Sequence, residues 1–165
     1  METLRYGREI RWLFQTGLLV FLVTIGLGMA RGIGLITFED RNQLLTHLHS
    51  GAIGWITLGI IATVLWLYGG DSEREGEEQW VSWTSFLLMA AVPLYVIAWW
   101  TGNLPFRAIA GALVLAGIFS FVLWLLRAAA TIGYRNLTTP QLGAVVGLSA
   151  LVIGSTLGVL LQVSY

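Results

Sequence analysis

The 165-residue chain has no cysteine and no lysine, two histidines, and 11% charged side chains. Without cysteine there is no disulfide, no thiolate zinc site, no iron–sulfur cluster and no covalent haem attachment through a cysteine pair. The nine basic residues, all arginine, balance nine acidic ones to a formal net charge of zero, which argues against nucleic acid as a partner. Soluble domains carry about 25% charged residues. So little charge beside 56% hydrophobic content marks an integral membrane protein, an all-α bundle whose first partner is the lipid bilayer.

Uncharged runs divide this single domain into five transmembrane spans at about 12–30, 44–68, 80–101, 106–126 and 141–163, each near the roughly 20 residues that a spanning helix needs. Arg5, Arg8 and Arg11 precede the first run. Its rival reading is a cleavable signal peptide ending at Gly28-Met29-Ala30, but the run is longer than the roughly 7–15 residues of a signal h-region. Asp40, followed three residues on by Gln43, resembles an N-cap with its capping-box partner. Asp71, Glu73, Glu75, Glu77 and Glu78 around Arg74 read as a solvated turn rather than a cation or docking site. Trp80 and Trp83 at one end of the third run, with Trp99 and Trp100 at the other, form an aromatic belt. Pro105 suits the first turn of the fourth helix, and Thr138-Thr139-Pro140 opens the fifth.

A cytoplasmic N-terminus puts Arg5, Arg8, Arg11, Arg74, Arg127 and Arg135 inside and only Arg31, Arg41 and Arg107 outside, as the positive-inside rule favours. The expected location is the cell membrane, spanned several times, with a prokaryotic inner membrane as the setting.

Both histidines head the second run, and imidazole is the commonest protein ligand for metals and a frequent one for haem iron. Residues two apart on an α-helix lie about 200° from each other, so His47 and His49 face different neighbours. Ser50, Gly51, Gly54, Leu58 and Ala62 fall on the His47 stripe; Ala52, Ile53, Ile56 and Ile60 fall on that of His49. Glycines beneath a ligand clear space for a flat macrocycle. His47 is therefore the expected haem ligand, with Gly51 and Gly54 as the floor and His49 as a neighbour whose loss the haem survives. Two other readings stay open: a stripe that serves helix packing, and copper held by the His pair.

The run Thr46-His47-x-His49 followed by Gly54-Trp55 resembles the second transmembrane helix of the haem–copper oxidase superfamily, in particular short stand-alone proteins similar to part of the cbb3-type and nitric-oxide-reductase-type catalytic subunit. The resemblance implies haem b, with a histidine near the outer end of that helix on the iron. It also implies a role in electron transfer or in binding a diatomic gas (oxygen or nitric oxide), as an accessory subunit of a respiratory complex or alone. Two histidines are too few for the binuclear centre of such enzymes, so the chain is not a complete oxidase by itself. The second axial ligand is left open between Met29, His47 of a second copy, His49 after local unwinding, and a free position. Arg31, Arg41 or Arg107 can pair with haem propionates, or each can serve as an interfacial anchor.

The last span carries Gly143, Gly147, Gly154 and Gly158 as two GxxxG units on one stripe, a close-packing face for another helix of this chain or of a second copy in a homo-oligomer. A cofactor-free scaffold in a larger membrane complex is the alternative function. A transporter is a weaker third, since no charged residue lies deep in a span.

Overall fold

The computed structural model describes residues 5–37, 41–70 and 76–163, with side chains to 158. Asp40, the acidic loop residues from Asp71 to Glu75 and Tyr165 lie outside the described residues. Helices make up 88% of the structure, with no strand among the described residues. They are α1 (Gly7–Gly32), α2 (Arg41–His49), a π-helical segment (Ser50–Ile56), α3 (Thr57–Tyr68), α4 (Glu77–Thr101), α5 (Leu104–Ile132) and α6 (Thr139–Val163). The segments from Arg41 to Tyr68 form one continuous rod, so five helices are long and apolar enough to cross a bilayer. Only helices and closed barrels satisfy every backbone group inside lipid, which is why each apolar run becomes one helix. Leu18, Leu19 and Leu22 on α1 and Trp66 on α3 are exposed, as lipid-facing side chains should be.

Chain punctuation follows local chemistry. Gly102 ends α4 at φ +68°, a conformation that side chains with a Cβ resist. Asn103 then caps α5 by accepting from the Phe106 amide at 3.0 Å, and Pro105 sits in the first turn, where no amide is needed. At the start of α6 Gln141 reaches back, its Oε1 accepting from both the amide and the hydroxyl of Thr138. Pro93 stands inside α4 without ending it; transmembrane helices tolerate proline when neighbours re-satisfy the freed carbonyl.

Helix α1 packs on the π-segment and α3, α4 packs on α5 and α2, and α5 packs on α6. At Gly117 a Cβ would lie 2.6 Å from Leu88 Cδ2, so only glycine lets α5 approach α4 so closely. Trp80 Nε1 donates to Ser120 Oγ at 2.8 Å, and Thr84 Oγ1 shares a hydrogen bond with the same hydroxyl. These polar bridges carry specificity where lipid and protein interior are equally apolar.

The N-terminal end of the bundle is tied by a buried carboxylate. Glu77, 6% exposed, accepts from Trp124 Nε1 at 2.7 Å and pairs with Arg5 at 3.6 Å. Tyr6 and Tyr68 meet the Trp124 ring edge-on. Burial, and then the Glu77 charge, push the Tyr6 phenol up to about 12; with the folded value above the free one, this contribution is intact below pH 10 and fades as pH rises toward 12. Tyr68 Oη donates to Gln141 O at 2.9 Å and Gln141 Nε2 donates to Leu67 O at 3.3 Å, fastening α3 to α6. Trp124→Phe removes one hydrogen bond to a buried charge, a loss of about 1.5–3 kcal/mol, read as a lowered melting temperature in detergent. Glu77→Gln keeps an acceptor for Trp124 and should cost less than Glu77→Leu in the same assay.

Candidate functional site: a cleft beside His49

The two histidines point to opposite partners. His47 Nδ1 lies 3.1 Å from Thr24 O of α1, and its Cε1 would be 3.0 Å from a Cβ on Gly28, so glycine at that position makes room for the ring. Thr24 Oγ1 donates to Ser50 Oγ at 2.8 Å, and Ser50 donates to His47 O at 3.0 Å. Thr24 Cγ2 sits 3.6 Å from where a Gly51 Cβ would be, and Val20 Cγ1 2.5 Å from that of Gly54. The floor expected for a macrocycle at Gly51 and Gly54 is therefore approached by Thr24 and Val20 of α1. The physical reason is that small residues in a membrane helix let two backbones approach, and the approaching backbone here is α1.

His49 faces the other way. Its ring stacks on Trp99 with centroids 4.1 Å apart and 17° between planes, and it meets Tyr95 edge-on at 5.7 Å. Nδ1 lies 2.7 Å from Leu45 O; a carbonyl only accepts, so Nδ1 carries the proton and Nε2 of the neutral ring keeps its lone pair. Binding one ring nitrogen to a carbonyl is how proteins fix the tautomer and orientation of a ligating histidine. The π-segment begins at the next residue, with Thr57 Oγ1 donating to Ala52 O five residues back at 3.2 Å; such segments recur at functional sites.

A cleft of about 440 Å³ opens beside His49, within the range of about 300–1,000 Å³ typical of ligand pockets. It exists because α6 is held to α3 near Gln141, whereas Gly154 and Gly158 farther along have open space where a side chain would begin. Ile53 stands beside His49, Tyr95 is on α4, Gly111 and Ile118 are on α5, and Ser155 is among the α6 residues. The walls are apolar apart from His49, Tyr95 and Ser155.

The other expected residues are dispersed. Met29 is 63% exposed on α1, across the bundle from the cleft, and Arg31 and Arg41 are exposed at helix ends. Arg107 comes closest: its guanidinium lies 4.7 Å from the Trp99 ring centre and donates to Asn42 Oδ1 at 3.1 Å. Gly154 and Gly158 line the cleft, and none of the four glycines has another described atom within 4 Å of an added Cβ, so no described helix of this chain closes on the stripe. His47 and His49 address different helices, α1 and α4 respectively. Among the described residues no three His, Asp or Glu side chains gather around one point.

Sequence reasoning missed Tyr95, Gly111 and Ser155. Tyr95 and Trp99 are four residues apart on α4, a spacing that shares a helix face, and that is the signal that sets Trp99 against His49 as well as in the belt.

Set against known families, curated proteins and solved structures, the chain has no match.

Proposed function

We propose that the chain is a multi-pass membrane protein that binds haem b in the cleft beside His49, with His49 Nε2 as the axial ligand. The observation that carries this reading is the Nδ1 bond to Leu45 O, which presents an unprotonated nitrogen from a ring held against Trp99. The small residues Gly111, Gly154 and Gly158 leave room for a flat ring, and the cleft's exposed side lets part of it remain in lipid. Haem so held supplies a one-electron couple or a seat for a diatomic gas, the two uses that the resemblance to haem–copper oxidases implies. The chain's own part is to orient the ligand, exclude water and keep the ring at one end of the bilayer. Purification after haem-replete expression should yield a Soret band that shifts on reduction; a colourless, folded protein would reject the reading.

The second reading is the cofactor-free scaffold, favoured by the uncovered Gly143 and Gly147 on α6.

The proposed orientation keeps the N-terminus in the cytoplasm of a prokaryotic cell. Among the described residues Arg5, Arg8, Arg11, Arg127 and Arg135 stand at the N-terminal end of the bundle, against Arg31, Arg41 and Arg107 at the histidine end, and arginine bias sets topology. Reporter fusions at Glu75 and at Tyr165 should report cytoplasm and exterior respectively; the same side for both would overturn the five-span topology.

A further inference from the structure

A second groove, of about 330 Å³, runs between α1 and α4 at the N-terminal end, far from the histidines. Arg8 and Glu9 of α1 and Ser82 of α4 line its polar end; Trp12, Phe86 and Met89 line the remainder, beside Trp83. Glu9 is 8% exposed. Its Oε1 accepts from Arg8 Nε at 3.1 Å and from Arg8 NH2 at 2.7 Å, while Oε2 has no donor among the described residues. That oxygen is not sealed in the protein interior, so the groove presents a carboxylate acceptor that a ligand can fill. Arg8 NH2 also donates to Ser82 Oγ at 3.1 Å; its side chain is 62% exposed and its guanidinium lies 5.4 Å from the Trp12 ring centre, with no hydrogen bond to NH1 among the described residues.

We infer that this groove seats one phospholipid whose headgroup carries both a phosphate and an N–H-bearing ammonium, that is, an ethanolamine lipid. The ammonium meets Glu9 Oε2 beside the indole and phenyl rings of Trp83 and Phe86, which attract a cation. The phosphate meets Arg8 NH1 in a charge-assisted hydrogen bond. The acyl chains continue along Phe86 and Met89. Polarity along both helices fits this amphiphile, since the charged residues come before Trp12 on α1 and Ser82 comes before Phe86 and Met89 on α4. Charge complementarity selects the headgroup. Arg8 and Glu9 are together neutral, so a zwitterion matches both, whereas a phosphatidylglycerol sets its phosphate charge beside Glu9 and offers Oε2 only neutral hydroxyls, with no cation. A choline headgroup brings the positive charge but no N–H donor.

Native mass spectrometry of the full chain released from nanodiscs of equal parts phosphatidylethanolamine and phosphatidylglycerol reads this directly. The wild type should retain one ethanolamine lipid in preference to the glycerol lipid, and in matched ethanolamine–choline nanodiscs should again favour ethanolamine. Glu9→Gln should cut the ethanolamine-to-glycerol ratio by about fivefold or more, since it removes the charge that attracts the ammonium and repels the net negative charge of the glycerol lipid. Trp83→Leu, at an exposed position, should lower ethanolamine retention while the melting temperature holds, and it decides the matter if Glu9→Gln does not fold. Equal retention of the lipids by the wild type, or a preference untouched by the variants that fold, would overturn the assignment.

Discussion

His49→Ala is expected to abolish haem retention, while His47→Ala leaves the haem-to-protein ratio within about twofold of the wild type. Only His49 opens on the cleft, with Nδ1 tied to Leu45 O and the ring stacked on Trp99. Under the proposed ligation the substitution removes the axial nitrogen, and His47, turned to Thr24 O of α1, is not placed to replace it. His47 is spent on α1, so its removal should appear as lower stability rather than lost colour: Thr24 O loses a contact and a void opens beside Gly28. Leu45 acts through the histidine, and its carbonyl belongs to the backbone; Trp99→Leu is the accessible positioning variant, expected to weaken retention and shift the Soret maximum without emptying the site. Loss of haem in His47→Ala with retention in His49→Ala would move the site to the α1 side.

Gly54→Leu should be the most destabilising single change at the interface between α1 and the π-segment, whereas Gly147→Leu on α6 should leave the melting temperature nearly unchanged. A Cβ on Gly54 alone would stand 2.5 Å from Val20 Cγ1, while one on Gly147 meets nothing within 4 Å. Overpacking a tight interior costs about 1–3 kcal/mol and occasionally more, and a leucine forced between two helix backbones belongs at the upper end. The comparison is internal, since both substitutions put the same side chain on a glycine of an apolar helix. A large loss from Gly147→Leu would mean that α6 packs against a second copy, which favours the scaffold reading. Equal, small effects would mean that α1 is not seated where the Val20–Gly54 contact puts it.

The helices were readable from composition because lipid forces each apolar run to close its own hydrogen bonds. Helical phase was readable too: His47, Gly51 and Gly54 do share a face, all three packing on α1, and His49 shares the other with Ile53. What lay across each face was not readable. In a soluble protein an apolar stripe points to the core, but in a membrane both lipid and core are apolar, so Gly51 and Gly54 carry no mark that says macrocycle or helix. The cleft was hidden for a related reason, since it depends on α6 being pinned to α3 by Tyr68 and Gln141 and standing away near Gly154 and Gly158. Those residues lie 73 and 74 positions apart from their partners, and no local pattern announces such a pairing. The π-segment likewise has no mark in a reading made at a period of 3.6 residues. Glu77 illustrates a different failure: read as one member of a solvated acidic run, it is the buried carboxylate that ties Arg5 and Trp124 together.

The central claim is a haem on His49 in the cleft between α2, α5 and α6, and an experimental density map of the protein purified from haem-replete cells tests it most directly. The account predicts flat, strongly scattering density in that cleft, continuous with His49 Nε2 and bounded by Gly111, Gly154 and Gly158. A cleft filled only by lipid chains, or planar density joined to His47 on the α1 side, would contradict it.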